Sequence, residues 1–493
     1  MSSHRQIFKS TALIGGTQVI VLAVGVVRNK ALALLLGTVG VGDATLYTGL
    51  ATLVGSVAGL GLNASGVRQI AEATGTQDET RIARTIISLR RISLFSGFLG
   101  MAIVLAFAPI LSRLTFDDNQ HVLGVAAMSV TLLFADISAG QTALLQGLRR
   151  LHDLAASQLV GAFFGAVVSV GLVWWLGLRG IVPYLIAISA FGILLSWWYA
   201  RRVEVRRIVV TWKETLAESR ELIVLGLAFA TSALIANGTA YVTRVLVDRQ
   251  LGREAVGIYA AIWTLCSSYV GIVLMAMGAD FLPRLAAASG DRALSNRLIN
   301  EQTEMGILIA VPGVLATVTL APLVLKLFYS PAFMAGADVV RWQIIGVLLR
   351  VVSWPLGYML IARGKSLLFV LTEVAGGIMN VVLVFIAIKL WKLEGVGIAF
   401  ALVYVFYTMM MLAVAFKLTG FKWSNTALKI LVSAFASVIA VFLGARFFPP
   451  VWALTSGIAV TLIAGVVSLA VLQKLLGINL CRALLDKIRS KTA

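Results

Sequence analysis

The chain has 493 residues, 59% hydrophobic and 13% charged, with a mean hydropathy of +0.95. A soluble domain is close to one-quarter charged, so water is excluded as the solvent of most of this surface. The net charge of +19 would suggest nucleic acid on a soluble chain. Here the cations sit in short hinges between apolar runs, the pattern of loops beside an anionic leaflet, and no nucleic-acid partner is expected.

The apolar runs are each long enough to cross a bilayer as a helix, and none alternates as a barrel strand would. Fourteen are predicted, near residues 10–36, 43–67, 91–113, 121–147, 156–177, 180–200, 221–248, 255–282, 302–328, 335–362, 367–389, 394–416, 425–446 and 451–473. The divisions at Gly37, Gly180 and Gly395 rest on short glycine-containing turns. The first run lacks a small-residue cleavage site and is expected to be retained. The longest hinges, 68–90, 201–220 and 284–301, mix charged and apolar residues and are expected to lie along the headgroups as surface helices.

Of the 41 Lys and Arg, 28 fall on or within a few residues of one alternating set of connections and the tail, 8 on or beside the other set and 5 deeper inside the runs. That asymmetry expects both termini in the cytoplasm. Cys266 lies in an apolar run and Cys481 in the basic tail, which excludes a disulfide framework. His4, His121 and His152 are too scattered for a metal site. No nucleophile elbow, Walker or zincin motif occurs, and no cofactor is expected.

The chain repeats itself at an offset of 215 residues. Leu36–Gly42 (LGTVGVG) recurs as Leu251–Gly257 (LGREAVG), and Leu178–Ile181 (LRGI) as Leu393–Val396 (LEGV). Arg28 falls nine residues before Gly37, and Arg244 eight before Gly252. The expected fold is an all-α integral membrane protein of about 14 transmembrane helices, with two pseudo-symmetric six-helix lobes, 1–205 and 206–420, and a C-terminal helix pair with basic tail, 421–493. Parallel repeats of this kind occur in secondary transporters.

Charges within helices are costly and mark function by default. Arg28 and Arg244 occupy equivalent places and are candidates for a shared cavity. There guanidinium groups would bind phosphate bidentately. Lys30, Arg341 and Arg350 are further candidates, with outward snorkelling the alternative for Arg28, Arg244, Lys30 and Arg341. Asp136 is a candidate charge partner or proton site. Glu373 is a candidate for ion coupling or for pairing with Arg363 or Lys365. Asp280 is expected to lock to Arg284. Gln18, Asn63, Asn237 and Tyr241 are candidate path-lining groups, or bridges between helices. Gly55–Gly59 and Gly161–Gly165 suggest close helix packing, and Trp174, Trp175, Trp197 and Trp198 an interfacial belt.

The opening Ser10–Gln18, Arg28 with Lys30, the following LGTVGVG, and Gly59–Asn63 through Arg68 resemble bacterial O-antigen translocases. These are polysaccharide transporters of the multidrug/oligosaccharidyl-lipid/polysaccharide flippase superfamily. The resemblance implies an inner-membrane protein, not an enzyme, that moves an undecaprenyl-pyrophosphate-linked glycan outward by alternating access. Arg28 and Arg244 would meet the pyrophosphate. It also implies membrane lipids, a polysaccharide polymerase and chain-length proteins as partners, and driving by an H+ or Na+ gradient or the membrane potential. Fourteen helices is the count of the lipid II flippase branch, whereas many O-antigen translocases have twelve; the extra pair is expected to form a groove for the lipid tail. The alternatives are a multidrug cation antiporter of the same superfamily, disfavoured by a first helix with cations and no acid, and a polytopic enzyme of polysaccharide assembly.

Overall fold

The computed structural model describes residues 3–59, 61–206 and 208–476, with side chains described except at 3–12, 217, 219, 221–225, 227–229, 269, 272–273, 275–280 and 476. The regular structure of these residues is helical: α1 (Ser3–Ala58), α2 (Leu62–Gly75), α3 (Glu79–Phe116), α4 (Val122–Gly147), α5 (Leu151–Leu176), α6 (Ile181–Ala200), α7 (Trp212–Leu251), α8 (Arg253–Ala287), α9 (Arg292–Phe328), α10 (Ala337–Ala362), α11 (Ser366–Thr419), α12 (Asn425–Phe447) and α13 (Pro450–Leu476). Short 3-10 turns, Gly177–Gly180 and Pro331–Gly336, precede α6 and α10.

Among the described residues, nine helical stretches are long and apolar enough to cross a membrane. Three of them, Leu13–Ala58, Leu151–Ala200 and Ser366–Thr419, are 46, 50 and 54 residues long. Each is about twice the ~20 residues that one crossing needs. With α7 and α8, of 40 and 35 residues, the helix count agrees with the expected fourteen, and the chain is an all-α integral membrane protein. Large apolar side chains face outward along these helices, such as Val27, Trp174 and Ile463, at 69%, 77% and 63% exposure, so lipid is their solvent.

Each double-length stretch is broken near its middle. In α1 the break is at Gly37, as expected (φ 66°, ψ −169°). The other two come three residues earlier than Gly180 and Gly395, at Gly177 (φ 57°) and at Trp391–Lys392 (Lys392 φ 49°). Gly180 and Gly395 serve close approach instead. A Cβ on Gly180 would stand 2.8 Å from the Leu172 carbonyl oxygen, and one on Gly395 would collide with that of Ala387.

The long hinges differ from expectation. Only Leu62–Gly75 is a separate short helix, because the run expected to reach 67 breaks at Gly61 (φ 61°), where a Cβ would collide with the Gly226 carbonyl of α7. Residues 79–90 and 292–301 are the first turns of α3 and α9, and α7 starts at Trp212. Caps explain two of these starts. Asp78 accepts from the Thr80 N–H at 2.8 Å, and Thr211 and Glu214 form a reciprocal capping box. Once nucleated, each added residue gains a hydrogen bond, whatever its charge. The two Thr211 donors hold the Glu214 carboxyl below the usual carboxylate range.

The chain forms two compact units, Met1–Ala260 with Leu327–Ala332, and Ala261–Lys326 with Phe333–Ala493. In the first, Ile70 of α2 packs with Ile86 and Leu89 of α3 and Leu144 of α4. In the second, Phe281, Leu285, Ile299, Leu356, Leu360 and Met411 form a core where α8, α9, α10 and α11 meet. α12 joins the second unit through Glu394, whose Oε1 accepts from Trp342 Nε1 at 2.9 Å and Arg446 Nη1 at 2.7 Å.

The repeat is a repeat of geometry. Gly37 and Gly252, equivalent at the 215-residue offset, have φ/ψ of 66°/−169° and 85°/173°. Gly177 and Lys392 have 57°/−134° and 49°/−132°. Arg149 and Gly364 both have positive φ, and the next residue donates backward alike: Arg150 N–H to Leu145 O at 2.8 Å, Lys365 N–H to Leu360 O at 2.9 Å. Within the first unit the two glycine turns pack reciprocally. A Cβ on Gly42 would collide with the Arg253 carbonyl, and one on Gly257 with the carbonyl of Thr38, the residue equivalent to Arg253.

Candidate functional site

α7 carries Asn237, Tyr241 and Arg244 at helical spacing. Asn237 Nδ2 donates to Ser56 Oγ of α1 at 2.8 Å. The buried Tyr241 hydroxyl shares a 2.5 Å hydrogen bond with Thr115 of α3. Two turns from Ser56, Gly49 of α1 makes room for Arg244: a Cβ there would stand 2.9 Å from Arg244 Nη1. The Arg244 guanidinium is also within electrostatic reach of Tyr259 on α8.

Arg28 is half-buried in the first half of α1. Its Nη2 donates to Asn29 Oδ1 at 3.2 Å, its Nε is buried without a partner among the described residues, and Tyr184 of α6 lies within its electrostatic reach. Among the described residues no contact joins Arg28, beside Asn29 and Tyr184, to Arg244, beside Gly49 and Tyr259. They share one property: no described carboxylate forms an ion pair with either. An isolated cation at membrane depth costs several kcal/mol unless an anion or a wet cavity meets it. Lys30 is half-buried two residues beyond Arg28.

Asp136 on α4 is half-buried. Ser96 Oγ donates to its Oδ2 at 3.0 Å, and Oδ1 lies 3.1 Å from where a Cβ on Gly59 would be. Gln18 Nε2 donates to Gln158 Oε1 at 3.2 Å, bridging α1 and α5. Asn63 is exposed on α2.

In the second unit Glu373 accepts from the Tyr407 hydroxyl at 2.6 Å and pairs with neither Arg363 nor Lys365. Those cations are ten and eight residues away on or beside the same helix, about 12–15 Å at 1.5 Å per residue. Tyr404 lies within reach of both Glu373 and Arg350, which makes these groups one cluster. Arg341 is engaged elsewhere. Its Nη1 donates to Asp338 at 2.7 Å and its Nε to the Val318 carbonyl at 3.3 Å. The helical partner of that carbonyl would be the N–H of residue 322, which is a proline. The expected Asp280–Arg284 lock falls on an acid whose side chain lies outside the described residues.

A further cluster escaped the sequence reading. Arg253, at the turn from α7 to α8, meets Asp43 of α1 at 3.3 Å and Asp248 of α7 at 3.0 Å, and donates to the Phe116 carbonyl at 3.1 Å. Beside it His121 stacks on Phe116, with centroids 4.2 Å apart, and bonds Asp118 at 2.7 Å. Burial pushes the Asp118 carboxyl up, but hydrogen bonds from His121 and from the backbone of Gln120 and His121 hold it below the usual range. The available signal was Asp43, the only acid in the first 71 residues, placed next to Gly42.

Among known proteins, the family described as polysaccharide biosynthesis protein matches residues 7–289. The chain belongs to this family. The lipid III flippase of Escherichia coli (strain K12) is 26% identical over 378 residues, 74% of this chain and 88% of that protein, and that of Shigella flexneri matches equally. In fold, this polysaccharide biosynthesis protein is similar to the lipid II flippase MurJ in an inward closed conformation, with a TM-score of 0.67 and 12% identity over 94% of this chain and 99% of that one. It is also similar to a multidrug resistance MATE family transporter of the MOP superfamily in an inward-facing conformation, with a TM-score of 0.66 and 16% identity over 77% of this chain and 94% of that one. The fold is thus that of MOP superfamily transporters, and this family member is a transporter rather than an enzyme.

Proposed function

We propose that the protein is a flippase that carries an undecaprenyl-pyrophosphate-linked oligosaccharide, an O-antigen or related repeat unit, from the cytoplasmic to the periplasmic leaflet of the bacterial inner membrane, with both termini cytoplasmic. The observation that carries this reading is the pair Arg28 and Arg244, two cations within apolar runs that form no ion pair with a carboxylate among the described residues. An anionic head group supplies the missing partner, and a guanidinium keeps its charge at any working pH. The lipid III and lipid II flippase relatives support a lipid-linked cargo.

In this reading the two six-helix lobes, 1–205 and 206–420, alternate between states that bind the cargo differently, which is all that transport requires of binding. The sugars occupy the wet interior and the prenyl tail stays in lipid. In the same reading Asp136, which accepts from Ser96, and Glu373, which accepts from Tyr407, exchange a coupling H+ or Na+. A polymerase and chain-length proteins would receive the cargo.

Arg28→Ala and Arg244→Ala are each expected to abolish surface polysaccharide while the protein still accumulates in the membrane. The readouts are cell-surface glycan and the lipid-linked intermediate that collects on the cytoplasmic side. Full export by both variants would refute the assignment.

A further inference from the structure

A polar cleft of about 430 Å³ opens between α2, the start of α3 and the start of α7 in the first unit. Local chemistry builds it. Arg91 of α3 donates to the Val210 carbonyl at 2.8 Å and the Thr215 hydroxyl at 2.9 Å, and its guanidinium sits 5.1 Å from the Trp212 ring. These contacts pin the start of α7 to α3. One turn after Glu214, Glu218 then accepts from the buried Thr85 hydroxyl at 3.1 Å. Gln69 and Glu72 of α2 supply another wall.

The lining holds both donors and acceptors. Each of the three carboxylates among its described residues is engaged through one oxygen: Glu72 Oε1 with Arg68 at 2.6 Å, Asp78 Oδ1 with the Thr80 N–H at 2.8 Å, and Glu218 Oε1 with Thr85. The second oxygens remain as acceptors. Arg81 and Arg84 form no ion pair with a described carboxylate, and the Arg84 Nε is buried without a hydrogen-bond partner among the described residues. Three carboxylates repel a phosphate, and walls this polar give an apolar ligand no purchase. A polyhydroxyl ligand matches both facts, because each hydroxyl donates once and accepts twice. The volume lies within the range of small-molecule sites.

We infer that this cleft is a saccharide site, which holds sugar residues of the cargo apart from the arginines that meet its pyrophosphate. The inference rests on the transport reading above. It predicts that the cleft reads glycan length. The test reconstitutes wild-type protein and the Arg81→Gln/Glu218→Gln double variant in vesicles. Flipping rates are compared for undecaprenyl-pyrophosphate bearing one sugar and bearing a whole oligosaccharide repeat unit. The variant's rate ratio of oligosaccharide to single sugar is expected to fall about tenfold, the effect of losing one or two good hydrogen bonds. A ratio equal to the wild type's overturns the cleft assignment, including the case where both rates drop together from poor folding. Saturation-transfer NMR with the free oligosaccharide, without lipid or pyrophosphate, gives a second reading: signal with wild type and none with the variant is expected, and equal signals refute the site. Wild-type protein that moves neither lipid refutes the transport reading itself, and this inference with it.

Discussion

At the bend after α5, the first copy of the repeat places Gly177; at the same bend in α11, the second copy places Lys392, with backbone angles that differ by less than 10°. The turns after α4 and α10 reverse the choice, with Arg149 in the first copy and Gly364 in the second. Packing and turn hydrogen bonds therefore set the backbone path, and it survives a side chain that costs about 1–2 kcal/mol in the left-handed region. The polar groups are not shared. Gln158 meets Gln18, while its counterpart Glu373 meets Tyr407. Asp136 corresponds to Val351, and Arg350 to Ala135. Duplication supplies the scaffold, and divergence of the buried polar positions supplies the chemistry.

Substitutions can break this comparison, and the largest effect is expected where the copies touch. Gly42→Val and Gly257→Val each force a side chain into a backbone carbonyl, and each is expected to cost about 3 kcal/mol or more. Thermal unfolding of purified protein in detergent measures this. A cost under about 0.5 kcal/mol would show that the turns do not pack as described. The double variant should cost less than the sum, since one displaced turn already frees the other.

Arg253→Ala comes next, at about 2 kcal/mol, because it leaves Asp43 and Asp248 facing each other without their shared cation. Asp43→Asn in that background should recover part of the loss; no recovery would mean that the acids do not act through Arg253. The smallest effects test whether the bends are interchangeable. Lys392→Gly is expected to stabilise by about 1 kcal/mol and Gly177→Lys to destabilise by a similar amount. Arg149→Gly should gain less than about 1 kcal/mol. A destabilising Lys392→Gly or a stabilising Gly177→Lys would dissolve the equivalence.

The helices were legible because hydropathy over ~20 residues is a strong signal. The breaks were less so. Glycine draws attention at 180 and 395, yet there it admits a neighbouring carbonyl, while the bend at 392 is held by a lysine that no propensity would nominate. The charged stretch 79–90 read as a hinge because its composition is polar, but Asp78 caps it into α3. Arg28 and Arg244 stood out as charges in apolar runs. Arg253 did not, since a cation at a helix end needs no explanation, and its acids are 210 and 5 residues away in sequence. The Tyr407–Glu373 bond spans 34 residues and exists only because α11 turns back at Trp391–Lys392.

The mutual seating of the two glycine turns has a mechanical consequence. The Thr38 carbonyl fills the space over Gly257 while the Arg253 carbonyl fills the space over Gly42. Neither seat can empty while the other stays full, so the pair separates in one stroke. A force that loosens one side of such a joint acts on its twin as well.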